Sequence, residues 1–152
     1  RSSIDELAGL PARLFEAVAG LGERELATPY RDGGWTLRQV VHHLADSHLN
    51  AYVRTRLALT EDRPPIKVWD ERAWADLADA KNGDIAPSLA IFQGVHARWV
   101  QCLRSLPEAA FARTCHHAER GVLTVDFLTG LYAWHGRHHI AHVTTARRHR
   151  GW

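Results

Sequence analysis

The apolar positions of this chain recur mostly at spacings of three and four, the period of a helix with one face turned to a core. Ile4, Leu7, Leu10, Leu14, Val18 and Leu21 form the first such stripe and predict a helix from Ser3 to about Gly20. Pro11 falls inside it, where it removes a backbone donor and crowds the preceding turn, so a kink or a fresh helix start is expected there. From Glu23 to Gly34 the periodicity lapses, and Pro29 with Asp32-Gly33-Gly34 predicts a loop. A second stripe, Val40, Val41, Leu44, Leu49, Tyr52, Val53, Leu57 and Leu59, predicts a helix reaching about Thr60. Thr36 and Gln39 give it a T-x-x-Q capping box. Arg63-Pro64-Pro65 ends it, and one or two short helical turns are expected around Trp69 and Trp74, between Asp70 and Leu77.

Leu89, Phe92, Val95, Trp99 and Leu103 mark a third long helix, opened by Pro87 in its first turn and closed by Pro107. Phe111 to Thr124 is the least helical stretch, with Glu119-Arg120-Gly121 as a turn between two short extended pieces. Thr124 as cap and Asp126 in the first turn begin a last helix that runs to about Arg148. Four long helices with connections of varied length predict an all-α four-helix bundle, with short extra helical turns, long connecting loops and minimal strand content. No repeat or linker divides the chain, so residues 1–152 read as a single domain.

Composition narrows the class without naming a function. At 152 residues, 45% apolar and 24% charged, the chain can bury a core without staples and is neither disordered nor a membrane protein in character. The net charge of +2 is small, and the Arg147, Arg148 and Arg150 cluster suits a helix C-terminus, so nucleic acid is not an expected partner. Cys102 and Cys115 form no CxxC pair and no secretory segment is visible, which fits a cytoplasmic location, although the chain begins at Arg1 rather than Met. No run of transmembrane length, G-x-S-x-G, P-loop, Rossmann fingerprint or zinc-ribbon spacing occurs.

The chemistry concentrates in the last helix. Trp134-His135-Gly136-Arg137-His138-His139-Ile140-Ala141-His142 puts four imidazoles into eight residues. His135, His139 and His142 share a face, with His138 at its edge, and two imidazoles at i and i+4 can reach one metal ion. A partner must come from a facing helix, and the second helix offers His42, His43 and His48. His42 and His43 differ by about 100° around the helix, and spacing alone does not choose between them.

These residues resemble the DinB/YfiT-like superfamily. The resemblance lies in Tyr30-Arg31-Asp32-Gly33-Gly34-Trp35-Thr36, Arg38-Gln39-Val40-Val41-His42-His43-Leu44-Ala45-Asp46-Ser47-His48, Leu57-Ala58-Leu59-Thr60-Glu61, Tyr132-Ala133-Trp134-His135 and His138-His139-Ile140-Ala141-His142. It covers about Leu7 to Trp152. It implies a four-helix bundle, an activity described as metal-dependent hydrolysis, and a three-histidine metal site. The first ligand in that superfamily is the His preceding Leu, eight residues after the Trp, which corresponds to His43; the other two correspond to His135 and His139. His142 falls where many members carry a different polar residue and is not among the implied ligands.

Other positions carry two readings each. Asp46, one turn from His43, could accept an imidazole N–H or hold a substrate group; otherwise it is a surface carboxylate paired with an Arg. His138 and His142 could move protons or touch substrate, or simply pack. His48 and Asn50 are weaker candidates. Trp35 and Trp134 are expected to shape the site without chemistry of their own.

Three neutral imidazoles leave a divalent ion an open position, as in catalytic sites, and nitrogen ligands suit zinc, nickel, copper or iron, with one zinc or nickel per chain expected. Such an ion can ionise a bound thiol or water at neutral pH. Similarity to the bacillithiol S-transferase branch implies attack of a low-molecular-weight thiol on a small electrophilic substrate. The alternative is a hydrolase using water, but neither histidine block holds a Glu to serve as general base. A third reading is a non-catalytic metal-binding stress protein. Relatives of the superfamily also suggest a homodimer.

Overall fold

The computed structural model describes residues 2–152. Four long helices carry the fold: α1 (Ser2–Val18), α3 (Leu37–Thr60), α6 (Ala86–Arg104) and α7 (Val125–Arg150). Short helices α2 (Glu23–Leu26), α4 (Glu71–Ala75) and α5 (Ala78–Asn82) fill the connections, with a 3-10 turn at Glu108–Ala112. Among the described residues, no helix is long and apolar enough to cross a membrane.

Much of each predicted stripe meets in the core, although Leu49 and Val53 of the second are exposed. Leu7, Leu10 and Leu14 of α1, Val40 and Leu44 of α3, Phe92, Trp99 and Leu103 of α6, and Leu128 and Val143 of α7 are all fully buried in one core. α1 packs on α6 and α7, and α3 packs on the same two, so the cyclic order is α1–α6–α3–α7. Each large side chain buried in this way contributes about 1.5–3 kcal/mol.

Two boundaries follow local chemistry closely. Thr36 accepts a hydrogen bond from the Gln39 N–H, and Gln39 Oε1 accepts from the Thr36 N–H at 3.0 Å. The same Gln39 donates through Nε2 to the Ala75 carbonyl at 2.8 Å, so the cap of α3 also holds α4 in place. At the other end, Arg147 of α7 donates to the carbonyls of Ala17 and Ala19, closing the C-terminus of α1, which has no basic residue in its own last turn.

Three expectations change. Glu23–Leu26, inside the stretch expected as loop, forms the short helix α2. Pro11 does not restart the first helix, because α1 runs unbroken through it. The donor it lacks would have served the Leu7 carbonyl four residues back. His96 Nδ1 of α6 takes that carbonyl instead, at 2.8 Å, so the helix loses no satisfied acceptor. Strand structure also extends beyond the expected pair of extended pieces. β2 (Thr114–His117) and β3 (Gly121–Thr124) form that antiparallel pair, turning at Gly121 with φ of 75°, a conformation that favours glycine. β1 (Pro65–Ile66) adds a third strand parallel to β2, Pro65 opposite His116 and Ile66 opposite His117. Just after β1, the Lys67 carbonyl accepts from Arg54 of α3 at 2.7 Å, which ties this segment to the bundle.

Candidate metal centre

His43 projects from α3, and His135 and His139 project one turn apart from α7. One ring nitrogen from each lies within 4.8 Å of the other two. His43 Nε2 and His135 Nε2 stand 3.2 Å apart, and the His43 and His139 ring centroids 4.7 Å. Metal–nitrogen bonds of ~2.0–2.1 Å in a tetrahedral site put two ligand nitrogens about 3.3 Å apart, so the observed pair suits a shared ion. His139 Nδ1 is buried and has no hydrogen-bond partner among the described residues.

The electrostatics suit a cation as well. Burial holds His43 down to about 4, and burial followed by the neighbouring imidazoles holds His135 at about 3 and His139 at about 2. At neutral pH all three rings are therefore uncharged and keep a lone pair free. Trp35 packs against His43 with ring centroids 4.7 Å apart, and Trp69 lies 6.1 Å from the same ring. Hydrogen bonding of the Tyr30 N–H to the Trp35 carbonyl at 3.0 Å pins the loop that carries the first of these walls.

His42 is turned away. Its Nε2 donates to the Gly83 carbonyl at 3.2 Å, which leaves Nδ1 to accept from the Ser88 hydroxyl at 2.7 Å. Both nitrogens are engaged with the α5–α6 segment, so of the adjacent pair His43 is the one facing α7. Of the readings of Asp46, neither the bond to an imidazole N–H nor the pairing with an Arg is present among the described residues. Its carboxylate makes no hydrogen bond or ion pair among the described residues, and it shares the side of α3 that carries His42, four residues earlier. Partial burial raises its pKa, with His42 lowering it and Asp79 of α5 raising it. His138 stacks on Trp134 at 4.8 Å and is exposed, while His142 stacks on Tyr30 at 4.2 Å with its buried Nδ1 unpartnered. Both flank the cluster, their rings 4.5 Å apart.

A cleft of about 870 Å³ opens beside the cluster, lined by His135, His138 and His139 together with Trp35, Trp69 and Tyr132. Arg54, buried beneath it, donates to the Tyr132 hydroxyl and to the Lys67 carbonyl. Glu71, Arg72 and Arg120 line its wall, and partial burial raises the Glu71 carboxyl.

A family model for the DinB superfamily matches residues 6–143 of this chain. The chain belongs to the DinB superfamily. A relative in Bacillus subtilis, named "Putative metal-dependent hydrolase YfiT", is 49% identical over 150 residues, covering 98% of this chain and 84% of the relative. One of the same description in Geobacillus thermodenitrificans is 49% identical over 144 residues, covering 94% of this chain and 81% of that one. The solved structure of Bacillus subtilis YfiT, described as "a probable metal-dependent hydrolase with an unusual four-helix bundle topology", superposes with a TM-score of 0.96 at 48% identity. That match covers 99% of this chain and 87% of YfiT.

Within this DinB-superfamily bundle, sequence reasoning underrated one histidine and overlooked another. His48 is fully buried between the helices, its Nε2 3.2 Å from His135 Nδ1 and its Nδ1 2.9 Å from His96 Nε2. His96 occupies a core position, four residues after Phe92 and three before Trp99. That placement of a polar ring in an apolar stripe was its only sequence signal.

Proposed function

We propose that His43, His135 and His139 hold one divalent metal ion, and that the protein is a metal-dependent enzyme transferring a low-molecular-weight thiol to a small electrophile. The observation that carries the proposal is the neutral three-nitrogen cluster at the end of a cleft, with no carboxylate among the described residues hydrogen-bonded to any of its rings. When bound, a zinc or nickel ion would supply acidification of a thiol or water, giving an anionic nucleophile at neutral pH. The chain's own residues do the rest. Trp35 and Trp69 exclude solvent from the His43 side of the cluster, and Arg72 and Arg120 place cations along the cleft where the carboxylates of a thiol would lie. His138, exposed at the cleft, is positioned to move a proton.

Hydrolysis is the second reading, favoured by the names of the relatives and by Glu71 in the cleft wall, whose raised carboxyl suits a general base. Elemental analysis of untagged wild type and His43→Ala tests the metal. About one equivalent in wild type and none in the variant supports the site, and no metal in wild type after reconstitution with several divalent ions overturns it. Turnover by metal-loaded protein only with added thiol supports transfer; turnover without thiol, lost in Glu71→Gln, supports hydrolysis. Metal removal that collapses the fold would point to a structural ion.

A further inference from the structure

We propose that His48 and His96 are positioning residues that set the tautomer of His135, so that its Nε2 lone pair is presented to the metal. The inference rests on the metal reading above. Its observation is an unbroken hydrogen-bonded line crossing the bundle through all four long helices. The line runs from the Leu7 carbonyl of α1 to His96 of α6, 2.8 Å, then to His48 of α3, 2.9 Å, and to His135 of α7, 3.2 Å.

The direction of this line is fixed at its far end. A carbonyl can only accept, so His96 Nδ1 must carry its proton and donate to Leu7. A neutral imidazole has one N–H and one lone pair, so His96 Nε2 accepts, and it accepts from His48 Nδ1–H. His48 Nε2 is then the acceptor for His135 Nδ1–H. What remains on His135 is the lone pair of Nε2, the atom 3.2 Å from His43 Nε2. The rings are neutral because His48 and His96 are 0% and 1% exposed and are surrounded by Phe92, Trp99 and Tyr132 rather than carboxylates.

The anchor itself is built by the sequence. Pro11 stands where a backbone N–H would otherwise occupy the Leu7 carbonyl, and its absence leaves that acceptor to His96. Gly136, next to His135, gives the line its room. A Cβ there would lie 3.2 Å from His48 Cε1 and 2.3 Å from Leu10 Cδ1. Metal-bound histidines commonly donate their other ring N–H to a fixed acceptor, and loss of that acceptor costs on the order of 10- to 100-fold in metal affinity. Here the acceptor is another histidine, and its own orientation is set two helices away.

The test is zinc affinity, by competition with a chromophoric chelator, for wild type, His96→Phe and His96→Gln. His96 touches none of the three proposed ligands. Phenylalanine fills its space without hydrogen bonds, whereas glutamine can donate to Leu7 and accept from His48. A loss of about 10- to 100-fold in His96→Phe, with one-to-one stoichiometry kept and most affinity regained in His96→Gln, is expected. Equal affinity in wild type and a folded His96→Phe overturns the proposal but spares the metal site. Wild type that binds neither zinc nor, in the same competition, nickel or any other divalent ion tried overturns the metal reading itself. Long-range 15N–1H NMR of metal-free wild type is independent of any variant. All three of His135, His48 and His96 are expected as Nδ1–H tautomers, and a proton on Nε2 of any of them overturns the line.

Discussion

At the scale of the residue, adjacent histidines separate by what their second nitrogen finds. His43 faces two imidazoles of α7, and His42 is spent on Ser88 and Gly83. His43→Ala should abolish metal uptake with little loss of stability. His42→Ala should keep the metal but lower unfolding stability by about 1–3 kcal/mol, because it strands two partly buried polar groups; urea melts and metal analysis on both variants check the pair. The reverse pattern would move the ligand to His42. The i, i+4 pair of α7 was legible in the sequence because both members lie on one helix, where spacing is geometry. The contribution of α3 was narrowed only by resemblance, since a 100° step on one helix says nothing about where the other helix lies. His96 was not legible as part of the site because its partner, a carbonyl freed by Pro11, belongs to a third helix and is a tertiary fact. Asp46 shows the same limit: it is one turn from both His43 and His42, and spacing does not say which ring its carboxylate would serve.

At the scale of the element, strong local signals placed the helices and weak ones left gaps. The Thr36–Gln39 box and the Thr124 cap mark real helix starts, and Gly151 in a left-handed conformation ends α7. Thr36→Ala should cost about 1 kcal/mol, read as a lower melting temperature with the metal retained. β1 was not legible: two residues have no periodicity of their own, and it exists by pairing with a strand some fifty positions later in the chain. α2 is a single turn closed by Glu25, whose side chain accepts from the Gly22 N–H, inside what composition marks as loop. The crossing of α1 and α7 depends on the missing side chain of Gly136. Alanine would gain roughly 1 kcal/mol in helix propensity but must push aside the fully buried Leu10, at a cost of ~1–3 kcal/mol. Gly136→Ala should therefore be net destabilising, by chemical denaturation, despite sitting in mid-helix; a stabilised variant would mean that α1 yields easily.

At the scale of the whole molecule, a bundle with uncharged histidines at its centre is sensitive to acid. Burial holds His43 and His96 at about 4 and His135 at about 3, while the same rings in an unfolded chain titrate near 6.5. Below that value the unfolded chain takes up more protons than the folded one, so stability falls as pH falls, by about 1.4 kcal/mol per ring per unit. Metal-free protein should keep a flat melting temperature above pH ~7 and lose stability steeply between about 6.5 and 4, with a slope about one proton shallower in His96→Gln. A flat profile down to pH ~4.5 would contradict it. The contact between the first and last long helices has a further consequence, for biosynthesis. Arg147 closes the end of α1 from 130 residues away, and α7 brings both of the paired histidines. Until that helix emerges from the ribosome, α1 lacks one of its two packing partners, and His43 has nothing to face. Contacts this distant in sequence form late because the intervening chain must first be gathered in. A nascent chain therefore cannot assemble the three-histidine cluster before α7 has emerged, so any metal held there is blind to the folding of the earlier helices.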